Sequence, residues 1–417
     1  MLSFIKNAVY GLPTLFLIFF SGLYFDYKCG IFKIDFIKKL ALCLKNSFKK
    51  DKNGISPFAA LSTALGGTVG VGSIVGVTYG IKLGGVGSVF WSLVCSVVCV
   101  GLKYAEIAVS LKNRVTAFDV NYGGAPYRLK EKGKPLAAFA FCLFCVLASF
   151  LTGNLAQTGA LALIFSRFGV KPLFVAAILS FLAALSVFGG AKRITSISAF
   201  LIPAFSAVYI FSCLAFLFLN IKNLPFAMQR IFLDAFNIKA VFGGGASFVF
   251  IKTMREGFAR SVFSGEAGMG SSPLAHSASS GDAETQATLG VFELLFDAFV
   301  SLINALCVIA GGLTDSEEIF TFLFGTFGKY LFALLLFAFA FASVIAWCRY
   351  GEACVVFAFK SRKAVFIYRL TFALSSFLCV FAADISFLDL ADIINALMMI
   401  PNMYLLFLCG SEIYKKR

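Results

Sequence analysis

The chain has 417 residues, of which 60% are hydrophobic, 16% aromatic and only 14% charged. A soluble globular domain is roughly 45–50% apolar and about 25% charged, so this composition excludes an ordinary soluble fold and indicates a polytopic membrane protein. The formal charge of +15 comes from 36 Lys and Arg against 21 Asp and Glu. No Lys/Arg-rich stretch interleaves with exposed aromatics as a nucleic-acid surface would, so the excess reads as a matter of membrane topology.

A membrane span needs roughly 20 apolar residues. The hydropathy pattern predicts eleven spans, at 8–25, 56–80, 84–111, 135–166, 172–190, 194–219, 241–280, 287–312, 327–357, 364–382 and 386–410. The first run, Ala8–Tyr24, is followed by Tyr, Asp and Lys rather than a small-residue cleavage site, so it reads as a retained span and not a signal peptide. Between 30 and 50, Ile31, Ile34, Ile37, Leu40, Ala41, Leu44 and Phe48 fall at helical spacing, with Lys33, Lys38, Lys39, Lys45 and Lys49 on other faces. That is the pattern of a helix lying in the membrane surface among anionic headgroups. Residues 224–238 form a similar piece.

The span at 56–80 contains TVGVGSIVG, residues 68–76. The span at 135–166 spells a CxxC at Cys142 and Cys145, but with no second pair and no nearby histidine these read as apolar cysteines. The segment 241–280 is too long for one straight helix. The pattern predicts a helix to about Arg260, a non-helical break, and a short helix from about Ser272. The break carries Gly268-Met269-Gly270-Ser271, which shares the form Gly-apolar-Gly-Ser with Gly70-Val71-Gly72-Ser73.

Small residues also serve close helix packing. Two matched interruptions in two halves of a chain point further, to the central site of a transporter built from an inverted repeat. Backbone at membrane depth departs from a helix only where protein covers it or it lines a cavity, and glycine makes the departure cheap. Freed carbonyls suit a hard cation such as sodium, and freed amides at a helix start suit a carboxylate.

Charges within spans cost several kcal/mol each unless paired or wetted. Lys103 and Glu106 stand at i,i+3, and Glu293 and Asp297 at i,i+4. Arg255, Glu256, Arg260 and Glu266 crowd the seventh span, and Asp389 and Asp392 open the last. Structural pairing is the expectation, ahead of ion relays. His276 is the single histidine. It is a poor candidate for a metal site or a hydrolytic triad, and a hydrogen-bonded role is expected. With the N-terminus outside, inner loops hold 22 basic residues and outer segments seven, which predicts a cytoplasmic C-terminus and an odd number of spans.

At these residues the chain resembles the alanine/glycine:cation symporter family, the sodium:alanine symporters. GISPFAALSTALGGTVGVGSIVGV resembles its first broken helix, GNLAQTGALAL the site-facing stretch of the fourth span, REGFARSVFSGEAGMGSSPLAHSAS its most specific motif and LADIINALMMIPN its last span; GGVGSVFW and KYAE follow in place. The resemblance implies an all-α, leucine-transporter-type fold, with a five-plus-five inverted repeat (56–219 and 241–410) behind an extra N-terminal span and interfacial helix (1–55). It implies a bacterial inner-membrane symporter, not an enzyme, that imports a small neutral amino acid, alanine or glycine first, with sodium and no other cofactor. Alternatives are another amino-acid cargo, proton coupling, or a sensor that binds without transport.

The resemblance also implies site residues. Substrate would meet Gly70, Val71, Gly72, Ser73, Gln157, Phe263, Ser264 and Gly265, with Trp347 as a gate. One sodium would lie at Gly66, Val69 and Ser343, and another at Thr68 and Ser73. Three positions depart from the family pattern: Ser73 and Gly265 each replace Asn, and Ala342-Ser343 replaces Ser-Thr. These changes remove side-chain oxygens where the ion and substrate are expected.

Overall fold

The computed structural model describes residues 11–48, 54–236, 246–380 and 385–414. The expected span starts at 8 and 241, Lys49, and the side chain of Asp389 lie outside what is described. Helix α1 (Leu12–Cys29) ends at Gly30, whose φ of 63° is the left-handed conformation glycine tolerates. The chain then turns by 89° into α2 (Ile34–Ser47). Phe36 and Ser47 of α2 face the protein, while Ile34 and Ile37 stay exposed. Ile34, Ile37 and Phe48 of the expected apolar stripe face away from the protein, whereas Ile31 is buried.

The first interrupted span is α3 (Pro57–Thr68) followed by α4 (Val71–Gly84). Ser56 caps α3 by accepting from the Ala59 amide at 3.2 Å, with Pro57 in the first turn. Helices α5 (Ser88–Val98) and α6 (Val100–Ser110) form one span with an irregular joint at Cys99, where a continuous helix was expected. A hairpin follows, β1 (Val115–Ala117) with β2 (Val120–Tyr122), then α7 (Ala125–Glu131).

The span at 135–166 is also interrupted. Helix α8 (Pro135–Ala148) and α9 (Ala156–Ser166) are joined by a π-helical segment, Ser149–Leu155. Next come α10 (Pro172–Val187), α11 (Gly190–Leu219) and α12 (Leu224–Phe236). The second interrupted span is α13 (Ala246–Gly265) and α14 (Ser272–His276). Here α13 runs past Arg260 to Gly265, a turn beyond expectation, so Phe263 and Ser264 are helical and the break is 266–271. The remaining helices are α15 (Ala283–Gly311), α16 (Glu317–Phe324), α17 (Thr326–Phe359), α18 (Arg362–Ser375) and α19 (Ile385–Cys409).

Among the described residues, seven helices are long and apolar enough to cross a membrane, or eight if the bent α1–α2 pair counts as one span. Eleven is not reached on this basis. Helix α10 has 16 residues and α18 has 14, and α13 carries Lys252, Arg255, Glu256 and Arg260. Phe200, Phe211 and Phe218 project outward from α11, as lipid-facing residues do. At the centre, α3 packs on α11, α15 and α17, and α4 packs on α13 and α15. Helix α11 of the first half and α13, α15 and α17 of the second thus enclose the first broken span.

Candidate functional site

The break between α3 and α4 is as narrow as it can be: Val69 and Gly70 leave helical geometry and Val71 re-enters it. Gly70 is required by proximity. A Cβ there would sit 2.5 Å from Ser343 Oγ and 3.4 Å from Gln157 Oε1. Ser343, on α17, donates to the Gly66 carbonyl at 2.7 Å. The fold thus gathers Gly66, Gly70, Gln157 and Ser343 from three spans. Phe263 lies against Gly72, 3.8 Å from where its Cβ would be. Thr68 and Val69 are buried beside them.

On the other side of the break four oxygens converge. Ser73 Oγ lies 3.1 Å from the Thr68 carbonyl, 2.8 Å from Ser264 Oγ and 2.5 Å from Asp297 Oδ1. Ser264 Oγ donates to the same Asp297 oxygen at 2.9 Å. One carbonyl, two hydroxyls and one carboxylate form an all-oxygen set suited to a hard cation. Asp297 is 2% exposed and forms no ion pair with a basic side chain among the described residues. Its role was missed in the sequence because it sits four residues from Glu293 and reads as half of a pair. The two carboxylates in fact serve different clusters.

Glu293 belongs to a buried charge network around the second break. Lys103 Nζ lies 3.0 Å from Glu293 Oε1, 3.9 Å from Glu106 Oε1 and 3.0 Å from the Gly265 carbonyl. Glu106 Oε2 accepts from the amides of Gly268 and Gly270 at 3.0 and 3.2 Å, and from Asn402 at 3.1 Å. Glu266 accepts from Ser271 at 2.6 Å. His276 bridges Glu293 at 3.1 Å and Gln286 at 2.5 Å, the hydrogen-bonded role expected of it. Glu106 thus holds two amides that the break sets free, while Glu266 and Glu293 hold side chains beside it.

Two sequence-derived candidates, Gly265 and Trp347, are tightly packed. A Cβ at Gly265 would point at Leu294 Cδ1, 2.3 Å away, so the space beside this glycine is filled by α15. Trp347 is buried behind the π-helical segment, where a Cβ on Gly153 would come within 2.2 Å of Trp347 Cβ. The π segment itself had no sequence signal. Its wide turn lets Asn154 donate to the Phe372 carbonyl and to Ser375, at 2.6 and 2.9 Å.

The family model described as the sodium:alanine symporter family matches residues 1–416. The chain belongs to that family. It is 32% identical to the sodium/alanine symporter AgcS of Methanococcus maripaludis, over 97% of this chain and 94% of that one. It is 28% identical to a probable sodium/glutamine symporter, GlnT, of Bacillus subtilis, over 94% and 84% respectively. The backbone is similar to the crystal structure of MhsT in complex with L-phenylalanine, with a TM-score of 0.64 over 86% of this chain and 90% of that chain. At 16% identity this is a likeness of fold, and the fold is the leucine-transporter type. The family is one of membrane symporters, not enzymes.

Proposed function

We propose that this family member moves a small neutral amino acid, alanine or glycine first, together with sodium by alternating access. The observation that carries the reading is Asp297, bonded to Ser73 beyond the first break and to Ser264 just before the second. A cation held there ties α4, α13 and α15 together, so occupancy and helix arrangement are coupled. The amino-acid carboxylate lies at the amides of Gly70, Val71 and Gly72, with Gln157, Phe263, Ser264 and Gly265 around the substrate and Trp347 as the gate. A second sodium lies at Gly66, Val69 and Ser343. Gly-rich backbone with few side chains around the cargo fits a small substrate.

In this reading the eleven spans divide into an N-terminal span and surface helix (1–55) and two repeats, 56–219 and 241–410. Basic residues set the N-terminus outside and the C-terminus in the cytoplasm of a bacterial inner membrane. The relatives' names include both alanine and glutamine carriers, so cargo larger than alanine is the second reading. Uptake of labelled alanine, glycine and glutamine by proteoliposomes, each with an inward sodium gradient and a matched potassium control, tests both.

A further inference from the structure

Asp297 lines a crevice of about 40 Å³ between α4, α5, α13 and α15, which begins at Gly72 beside the break. A buried water needs roughly 10–15 Å³ on the same measure, so the crevice has room for a few waters. Its walls carry hydroxyls from Ser92, Ser96, Ser261, Ser264 and Ser301, and one cation, Arg260. The crevice shares Gly72 and Ser264 with the proposed amino-acid site but is not lined by Gln157, Ser343 or Trp347.

Arg260 and Asp297 share this space and each lacks a charged partner. Among the described residues Arg260 forms no ion pair, and its Nε is buried without a hydrogen bond. The guanidinium rests 5.8 Å from the Tyr79 ring and 5.9 Å from the Phe263 ring, distances at which aromatic faces attract a cation. The neighbouring Arg255 is paired with Glu256 at 3.2 Å, and Lys103 is taken up by Glu293 and Glu106. Arg260 stands one helical turn before Ser264, the residue that donates to Asp297, and positions four apart share a helix face.

We infer that Arg260 is a tethered cation that takes sodium's place at Asp297 when the site is empty. This rests on the reading of Asp297 as the sodium-binding carboxylate. A carrier must return without sodium, and a bare buried carboxylate opposes that step. Arg260 leaves its aromatic cradle, swings along the crevice that it and Asp297 both line, and pairs with Asp297, and incoming sodium displaces it. Sodium and Arg260 therefore compete for one carboxylate, and the arginine speeds the empty return at the expense of sodium affinity.

The test uses Arg260→Gln and Arg260→Lys in proteoliposomes, with alanine-for-alanine exchange under sodium on both sides compared with net sodium-driven uptake. Exchange never requires the empty carrier. For Arg260→Gln the account expects exchange near wild type, net uptake reduced about tenfold, and half-saturation at lower sodium. Arg260→Lys is expected to recover part of the net uptake. Exchange and net uptake falling together, or net uptake and sodium affinity both unchanged, would overturn the inference. Failure of the underlying reading looks different: wild type would then need no sodium, or Asp297→Asn would keep the wild-type sodium dependence.

Discussion

Ser73 Oγ and Asp297 Oδ1 lie 2.5 Å apart, joining α4 to α15 across 224 positions of sequence. The carboxylate is buried, and its bonds on that oxygen come from hydroxyls. A cation that entered would replace those donors and gain four oxygens from Thr68, Ser73, Ser264 and Asp297. Asp297→Asn keeps the shape and removes the charge. Sodium half-saturation of uptake is expected to rise about tenfold or more, measured by sodium titration at fixed alanine. Ser73→Asn, which supplies a carbonyl oxygen on a longer arm, is expected to retain sodium dependence.

Lys103 is the hub of the buried network, facing Glu293 and Glu106 with no exposure on any of the three. Lys103→Met leaves buried carboxylates without their cation, at a cost of about 3–5 kcal/mol. Thermal unfolding in detergent should show a marked loss. Adding Glu293→Gln should restore part of it, because the two changes act on one pair.

Gly265→Asn tests how tightly α13 meets α15. A Cβ at this position would overlap Leu294 Cδ1 at 2.3 Å, and overpacking of this kind costs about 1–3 kcal/mol. The variant should unfold earlier, and Leu294→Ala in the same chain should recover stability. Recovery would be read in the same thermal assay.

Beyond the central site, the β1–β2 hairpin is tied to the helices by charge. Glu352 accepts from Arg349 at 3.1 Å, from Arg369 at 2.8 Å and from Tyr122 at 3.2 Å, while Arg349 donates to the Asn121 carbonyl at 3.2 Å. Glu352→Gln keeps hydrogen bonding but loses the charge that holds two arginines. Faster amide exchange across 115–122 is the expected result, with the α3–α4 region unchanged.

The two breaks were legible in the sequence because glycine and hydroxyl residues interrupt apolar runs, and the physics of a lipid phase leaves few reasons for that. Helix α13 runs one turn past the expected end near Arg260, to Gly265, and that turn carries Ser264, whose partner Asp297 is 33 positions away. The hairpin was missed for a local reason. Phe118 and Asp119 both have positive φ, 50° and 61°, in a turn that usually announces itself as Asn-Gly. Asp297 could not be separated from Glu293 by spacing alone, since residues four apart on a helix share a face and only the fold decides what each meets. Gly153 and the π segment depend on Trp347, nearly two hundred positions away, and no local pattern encodes that contact.

The measurement that tests the account most directly is labelled-alanine uptake into proteoliposomes, with an inward sodium gradient against a matched potassium control, for wild type and Asp297→Asn side by side. The account predicts sodium-dependent accumulation by wild type and, at the same protein content, a variant whose sodium response is shifted to concentrations about tenfold higher or more. Equal uptake with sodium and potassium in wild type, or an unaltered sodium response in Asp297→Asn, would contradict it.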